Sequence, residues 1–172
     1  NESFQAAPGL PVTFLGRTRR QGFDIDGRFH VVKDGADIVS LFANYSGVST
    51  EILGTQLTNY VPNVPKYVAN VGVEFNVGTV NAQRLSGSAY VTFVGKKFLA
   101  QDGQITTSPY QRVTGKLAYS WPEGWTAFTQ ATWYPGDRLS EVAFNFGDPV
   151  TATPADIFVS AVPRLAVLGG LT

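Results

Sequence analysis

Apolar and polar residues alternate along this chain with a period of two. In residues 66–77, Tyr67, Ala69, Val71, Val73, Phe75 and Val77 hold the odd positions. Lys66, Val68, Asn70, Gly72, Glu74 and Asn76 hold the even ones. Successive side chains of a strand point to opposite faces, so this segment reads as a strand with one apolar and one mostly polar face. Residues 22–32 repeat the pattern, with Phe23, Ile25, Gly27, Phe29 and Val31 on one side and Asp24, Asp26, Arg28 and His30 on the other. In residues 84–96, Leu85, Ala89, Val91 and Phe93 oppose Arg84, Ser86, Ser88, Thr92 and Lys96. In residues 112–121, Val113, Leu117, Tyr119 and Trp121 oppose Arg112, Thr114, Lys116 and Ser120. Three segments fit less cleanly. Residues 37–46 align Val39, Leu41, Ala43 and Tyr45 but leave Ile38 and Phe42 on the polar side. Residues 125–134 align Trp125, Ala127, Ala131 and Trp133, with Phe128 the exception. Residues 163–172 read as a last strand that Gly169-Gly170 weakens. No segment carries a helical period, and the β-branched and aromatic residues favour strands. The expectation is an all-β, antiparallel meander of seven readable strands.

The links alternate in length. The turn at residues 33–36 is tight and the link 47–65 is long. Residues 78–83 form a short link, 99–109 a longer one, 122–124 a minimal one and 135–162 a very long one. Alternate links of an antiparallel meander lie at the same end of the sheet, so the long loops gather at one end and the tight turns at the other.

Period two arises in two environments. A soluble β-sandwich or lipocalin-like barrel turns its apolar face inward, whereas a transmembrane barrel turns it outward into lipid. Three features favour the membrane. Several strands run for ~10 residues or more, as a tilted strand needs to cross hydrocarbon, while soluble strands cluster near 5–6. Outer-membrane barrels have one short-turn side and one long-loop side. Aromatic residues fall at strand ends: Tyr119, Trp121 and Trp125 around one tight turn, and Tyr45, Tyr67 and Trp133 near the long loops. These six are expected to form interfacial belts. Seven strands do not close a barrel, because bacterial single-chain barrels have an even count and leave no open edge in lipid. Either an eighth strand lies within residues 10–16 or the chain is part of a larger wall.

Composition narrows the function. The 172 residues carry 13 Lys and Arg against 13 Asp and Glu, a balance that removes the basic footprint of a nucleic-acid binder. The absence of cysteine excludes disulfides, thiolate-bound zinc and thiol catalysis. No apolar run is long enough for a transmembrane helix. No Gly-x-Ser-x-Gly elbow, phosphate loop or nucleophile beside Asp24 and Asp26 supports catalysis, so the chain is not expected to be an enzyme.

An ordered series of fragments resembles the C-terminal barrel of a TonB-dependent outer-membrane receptor. Gly16-Arg17-Thr18-Arg19-Arg20-Gln21-Gly22-Phe23-Asp24-Ile25 is similar to an Arg-rich stretch that opens one strand of that family. Leu53-Gly54 followed by Val61-Pro62-Asn63-Val64-Pro65-Lys66-Tyr67 resembles the Gly and Pro-x-x-Pro lead into the next descending strand. Val94-Gly95-Lys96-Lys97-Phe98, Tyr110-Gln111-Arg112-Val113-Thr114-Gly115-Lys116-Leu117-Ala118-Tyr119-Ser120 and Val162-Pro163-Arg164-Leu165 resemble later strands in the same order. Two departures stand out: the family's closing aromatic residue is missing after Leu171-Thr172, and neither the plug domain nor its energy-coupling box is present. The resemblance implies that residues 1–172 are the C-terminal portion of a receptor barrel, incomplete at both ends, within a wall of roughly 22 strands. It implies a bacterial outer-membrane location and active uptake of a scarce small-molecule nutrient such as a ferric siderophore, cobalamin or an oligosaccharide. The implied partners are outer-membrane lipid and lipopolysaccharide, the missing plug and strands, and the energy-coupling TonB complex reached through the missing N-terminal part. A passive outer-membrane channel and a soluble binding module are the alternatives.

Within that reading, Asp24, Asp26, Arg28, His30, Glu74 and Lys116 are expected to face the lumen. His30 stands alone, and one histidine makes poor metal chemistry, so neither a metal site nor a cofactor is expected. Arg17, Arg19 and Arg20 form a basic group near the long-loop end, suited to an anionic ligand or to lipopolysaccharide phosphates. Tyr60, Tyr134 and Arg138 join them as candidate ligand contacts on the long loops, where Asn59, Gln101, Asp102, Asp137 and Asp156 also lie. The face assignment is directly testable: Val73→Arg is expected to destabilise the inserted protein by ~2–4 kcal/mol. Glu74→Gln is expected to leave the unfolding midpoint in lipid nearly unchanged, and equal effects of the two would contradict the assignment.

Overall fold

The computed structural model describes residues 2–4, 13–53, 60–79, 83–100, 102–136, 143–145, 157–159 and 162–172, the first seven of these and the two three-residue segments at 143–145 and 157–159 through their backbone only. The described residues form ten strands: β1 (Glu2–Phe4), β2 (Thr13–Asp34), β3 (Asp37–Leu53), β4 (Tyr67–Gly78), β5 (Arg84–Val94), β6 (Tyr110–Ser120), β7 (Thr126–Trp133), β8 (Ala143–Asn145), β9 (Ile157–Val159) and β10 (Leu165–Leu171). Eight form one sheet in the order β1-β2-β3-β4-β5-β6-β7-β10, with every neighbouring pair antiparallel. β8 and β9 pair with each other inside the long link from β7 to β10. The seven strands expected from the alternation are β2 to β7 and β10. The possible strand within residues 10–16 is not separate: its described part, from Thr13 onward, is the start of the 22-residue β2, and the additional pairing strand is β1.

Side chains and turns fix the register together. Asp34 pairs with Asp37 across a two-residue turn whose first position is Gly35 at φ +55°. Two-residue hairpin turns demand that backbone region, and glycine adopts it without strain. At the third tight turn, the Trp121 amide bonds the Trp125 carbonyl at 2.9 Å and Gly124 has φ +93°. The long links, from β3 to β4, β5 to β6 and β7 to β10, all lie at the opposite end.

In this register the apolar positions form uninterrupted rows across the sheet. One row is Phe29, Leu41, Val73, Ala89, Gly115, Ala131 and Val167. Another is Gly27, Ala43, Val71, Val91, Val113, Trp133 and Leu165. A slip of one residue at any pair from β2 to β6 would carry charged or polar side chains onto this face, so the alternation itself holds the pairing there. One row departs from the simple alternation. The ladder shifts between His30 and Val32, which makes Val31 the extra residue of a β-bulge, and Val32, not Val31, stands opposite Val39 on the apolar face.

No described residue packs over that face. Phe29 is 69% exposed, Ile25 63%, Leu41 51% and Val71 49%. The buried apolar residues among those described are Ile52, Val61, Phe98, Leu99, Ala100 and Tyr134, all at the long-loop end. Leaving one Leu, Ile or Phe side chain in water forfeits ~1.5–3 kcal/mol. Repeated over seven strands, this exposure is incompatible with a soluble sheet that lacks a second layer. Measured along β4, the apolar positions from Tyr67 to Val77 span ~34 Å. At a tilt of ~45° this is a band ~24 Å high, the height of a hydrocarbon-facing belt.

Aromatic rings take up the room left by small residues on both faces. A Cβ on Gly87 would stand 2.6 Å from the Lys116 carbonyl oxygen and 2.9 Å from the Phe75 ring, and one on Gly170 would stand 2.8 Å from the Phe128 ring. Phe128, the exception to its strand's alternation, thus lies across the glycine of β10 that the sequence marks as a weak point. Gly87→Ala is expected to destabilise the inserted protein by ~1–3 kcal/mol. Its urea unfolding midpoint in lipid would fall, and an unchanged midpoint would show that the Phe75–Gly87 contact is not needed.

Candidate functional site

The polar face carries cross-strand clusters of hydrogen bonds and ion pairs from β2 to β5. Asn70 Nδ2 donates to Asn44 Oδ1 at 2.8 Å, and Thr92 Oγ1 donates to Asn70 Oδ1 at 2.6 Å, which joins β3, β4 and β5 in one row. Arg28 reaches over β3 to pair with Glu74 at 3.2 Å. Ser40, fully buried on the strand between them, shares a 2.8 Å hydrogen bond with His30 Nδ1. At the tight-turn end Arg84 donates to Asn76 Oδ1 at 3.0 Å and to the Ala36 carbonyl at 2.7 Å, with Asp37 3.6 Å away. Asp37 also accepts from the Gly78 amide at 2.7 Å. Thus Asp24, Asp26, Arg28, His30, Glu74 and Lys116 share one face by register. The structure joins Arg28 to Glu74 and His30 to Ser40, whereas Asp24, Asp26 and Lys116 stand in the same field of side chains without an ion pair among the described residues. No group of three or more metal-ligating side chains occurs among the described residues.

The apolar face is edged by rings at both ends. Phe23, Tyr45 and Tyr67 stack in succession at 5.5 and 5.9 Å across β2, β3 and β4 at the long-loop end. At the other end Tyr119 meets Trp121 edge to face at 4.8 Å, and its hydroxyl donates to Gln83 Oε1. Trp125 lies in the tight turn beside them, and Trp133 closes β7 at the long-loop end. Both are exposed.

β2 and β3 continue past the upper belt as a paired hairpin, from the Phe23–Gly47 pair to the Arg17–Leu53 pair. This separates the three arginines: Arg17 and Arg19 continue the apolar-face parity, Arg20 the polar one. Arg19 is 3.6 Å from Glu51, both exposed to water, so the pair contributes little stability. The other expected ligand contacts also divide. Tyr60 is half-exposed and stacks on Phe98. Tyr134 is only 6% exposed and its amide bonds the Arg164 carbonyl, so its ring belongs to the packing of the loop base. Arg138 lies outside the described residues, as do Asn59, Gln101, Asp137 and Asp156.

The long links from β3 to β4 and from β5 to β6 interlock. The Asn63 amide bonds the Phe98 carbonyl at 2.7 Å and the Lys66 amide bonds the Lys96 carbonyl at 3.2 Å. Pro65 and Lys97 form an isolated bridge. Tyr60 stacks on Phe98 with centroids 3.8 Å apart, and both rings close over Gly103, whose φ is +69°. Val61, Phe98, Leu99, Ala100 and Thr107 are buried in this knot. Lys66 Nζ stands 5.2 Å and Lys96 Nζ 5.9 Å from the centroid of the Phe98 ring. Alternation places Lys66 and Lys96 only as polar positions at strand ends. Their juxtaposition follows from counting outward from the Val68–Val94 pair, a register that one sequence does not supply.

A family model described as TonB dependent receptor-like, beta-barrel matches residues 2–133, from β1 through β7. No curated protein and no solved structure matches the chain. An antiparallel meander with one unprotected apolar face, a hydrogen-bonded polar face and long loops gathered at one end is the wall such a barrel requires. The chain belongs to the TonB-dependent receptor-like β-barrel family, an outer-membrane transport family of Gram-negative bacteria and not a family of enzymes.

Proposed function

We propose that residues 1–172 form the C-terminal wall of an active outer-membrane receptor that takes up a scarce small-molecule nutrient such as a ferric siderophore. The observation that carries this reading is the seven-strand apolar face against which no described residue packs, backed by a polar face that is hydrogen-bonded across strands. Lipid covers the first face. The second lines a lumen, where Asp24, Asp26 and Lys116 are available to a plug domain and Arg28–Glu74 braces the wall. The ring clusters at the two ends sit at the two membrane–water interfaces. The long-loop end faces the medium and the tight turns face the periplasm. The free edges of the sheet, β1 with the part of β2 beyond its pairing to β1 on one side and β10 on the other, then pair with the remaining barrel strands, since an unpaired edge in hydrocarbon leaves backbone groups unsatisfied. Energy comes from the TonB complex through the plug, not from this wall.

The test is uptake of radiolabelled ferric catecholate and ferric hydroxamate chelates by iron-limited cells that carry or lack the intact gene. One chelate is expected to enter saturably only in cells with the gene, and a protonophore is expected to abolish its entry. Entry that rises linearly with concentration and survives the protonophore would instead identify a passive channel.

A further inference from the structure

We propose that Lys66 and Lys96 form an anion-binding site at the loop end of the polar face, taking a carboxylate or phosphate group of a small solute. The inference rests on the reading of this face as a lumen open to the medium, and it adds the chemical class of what binds there.

The lysines are cross-strand neighbours. The Val68–Val94 pair is the last full rung between β4 and β5, and the Lys66 amide bonds the Lys96 carbonyl one step of alternation beyond it. Both therefore share the face of Asn70 and Thr92, and both ammonium groups converge on the Phe98 ring, at 5.2 and 5.9 Å. Like charges placed opposite one another across a ladder are destabilising. The ring's negative face offsets that repulsion only in part. Neither lysine has an acidic partner among the described residues, where Glu51, Glu74 and Asp37 pair with Arg19, Arg28 and Arg84. Asp102, the acid on the same loops, accepts from the Gln104 amide instead. An anion with two or more oxygens placed between the ammonium groups would give each a charge-assisted hydrogen bond and remove the repulsion.

The loop knot supplies the rigidity that such a site needs. Phe98, Leu99 and Ala100 are buried, and Tyr60 fixes one side of the Phe98 ring, so the two lysine backbones are held before any ligand arrives. The position also separates two sources of the same chemistry. Lipopolysaccharide phosphates lie outside the barrel beyond the Phe23–Tyr45–Tyr67 belt, whereas Lys66 and Lys96 are on the opposite face, so a dissolved anion is the occupant.

The test uses the full-length protein in detergent at low ionic strength, titrated calorimetrically with citrate and with inorganic phosphate. At least one probe is expected to bind saturably. Lys66→Gln and Lys96→Gln are each expected to weaken it about tenfold, with the double variant little weaker than either. Lys33→Gln at the tight-turn end is expected to have no effect. In unmutated protein whose lysines carry 13C-dimethyl groups, two lysine signals are expected to shift on adding citrate, which settles the matter should a variant fail to fold. Absence of saturable binding by both probes, unchanged affinity in the folded Gln variants, or unshifted lysine signals would overturn the site. So would binding confined to lipopolysaccharide-containing vesicles. If the protein still migrates as a folded, heat-modifiable barrel in that case, the anion site fails and the transporter reading stands.

Discussion

No described residue packs over the apolar face of this sheet, and in an outer-membrane barrel hydrocarbon takes that place. Every other feature follows from that contact. A wall in lipid has to satisfy each backbone N–H and C=O within its own ladder, which favours long antiparallel strands joined in order. It must keep charge off one face over its whole width, which sets the alternation along β2 to β7 and β10. It must end where the lipid ends, and the ring clusters around Tyr45 and Tyr119 stand at the two ends of the apolar face.

The polar face obeys a different rule. Freed from lipid, it carries Asn, Ser, Thr, Arg and Glu side chains that bond across neighbouring strands, and these bonds tie the wall laterally where apolar packing is absent. The Asn44–Asn70–Thr92 row and the Arg28–Glu74 pair that spans β3 do for this sheet what a core does for a soluble domain. The burial that does exist is displaced to the loop end, where Tyr60, Val61, Phe98 and Leu99 pack into a knot. Within the described residues the scaffold is therefore held by backbone ladders, by hydrogen bonds across its polar face, and by a small apolar cluster at the loop end.

Much of the fold was legible because period two is a local signal. Tyr67 to Val77 announces both the strand and its two faces without any knowledge of its neighbours, and the alternation of link lengths orients the sheet. What escaped was whatever depends on pairing. Val31 and Val32 are indistinguishable by composition, and the bulge that puts Val32 opposite Val39 is settled by the partner strand. Phe42 and Phe128 read as breaks in the pattern. In three dimensions Phe42 tilts against Tyr90 and Phe128 lies over Gly170, so each occupies space on the polar face left by a small residue or shared with another ring. The site followed the same division. The face of Arg28, His30 and Glu74 could be read from parity. The burial of Tyr134 could not, nor could the splitting of Arg17 and Arg19 from Arg20 or the meeting of Lys66 with Lys96, because loop packing and cross-strand register are not written in one segment.

The claim that lipid covers the odd positions of β4 can be tested residue by residue. The chain has no cysteine, so single cysteines at positions 69 to 77 can each carry a nitroxide in the bilayer-inserted protein. Their collision rates with oxygen, which partitions into lipid, and with a water-soluble nickel chelate then report each side chain's surroundings. The account predicts that oxygen dominates at 69, 71, 73, 75 and 77 and that the chelate gains at 70, 72, 74 and 76. Odd positions shielded from both reagents would mean that they pack against protein, and the membrane wall described for this chain would be wrong.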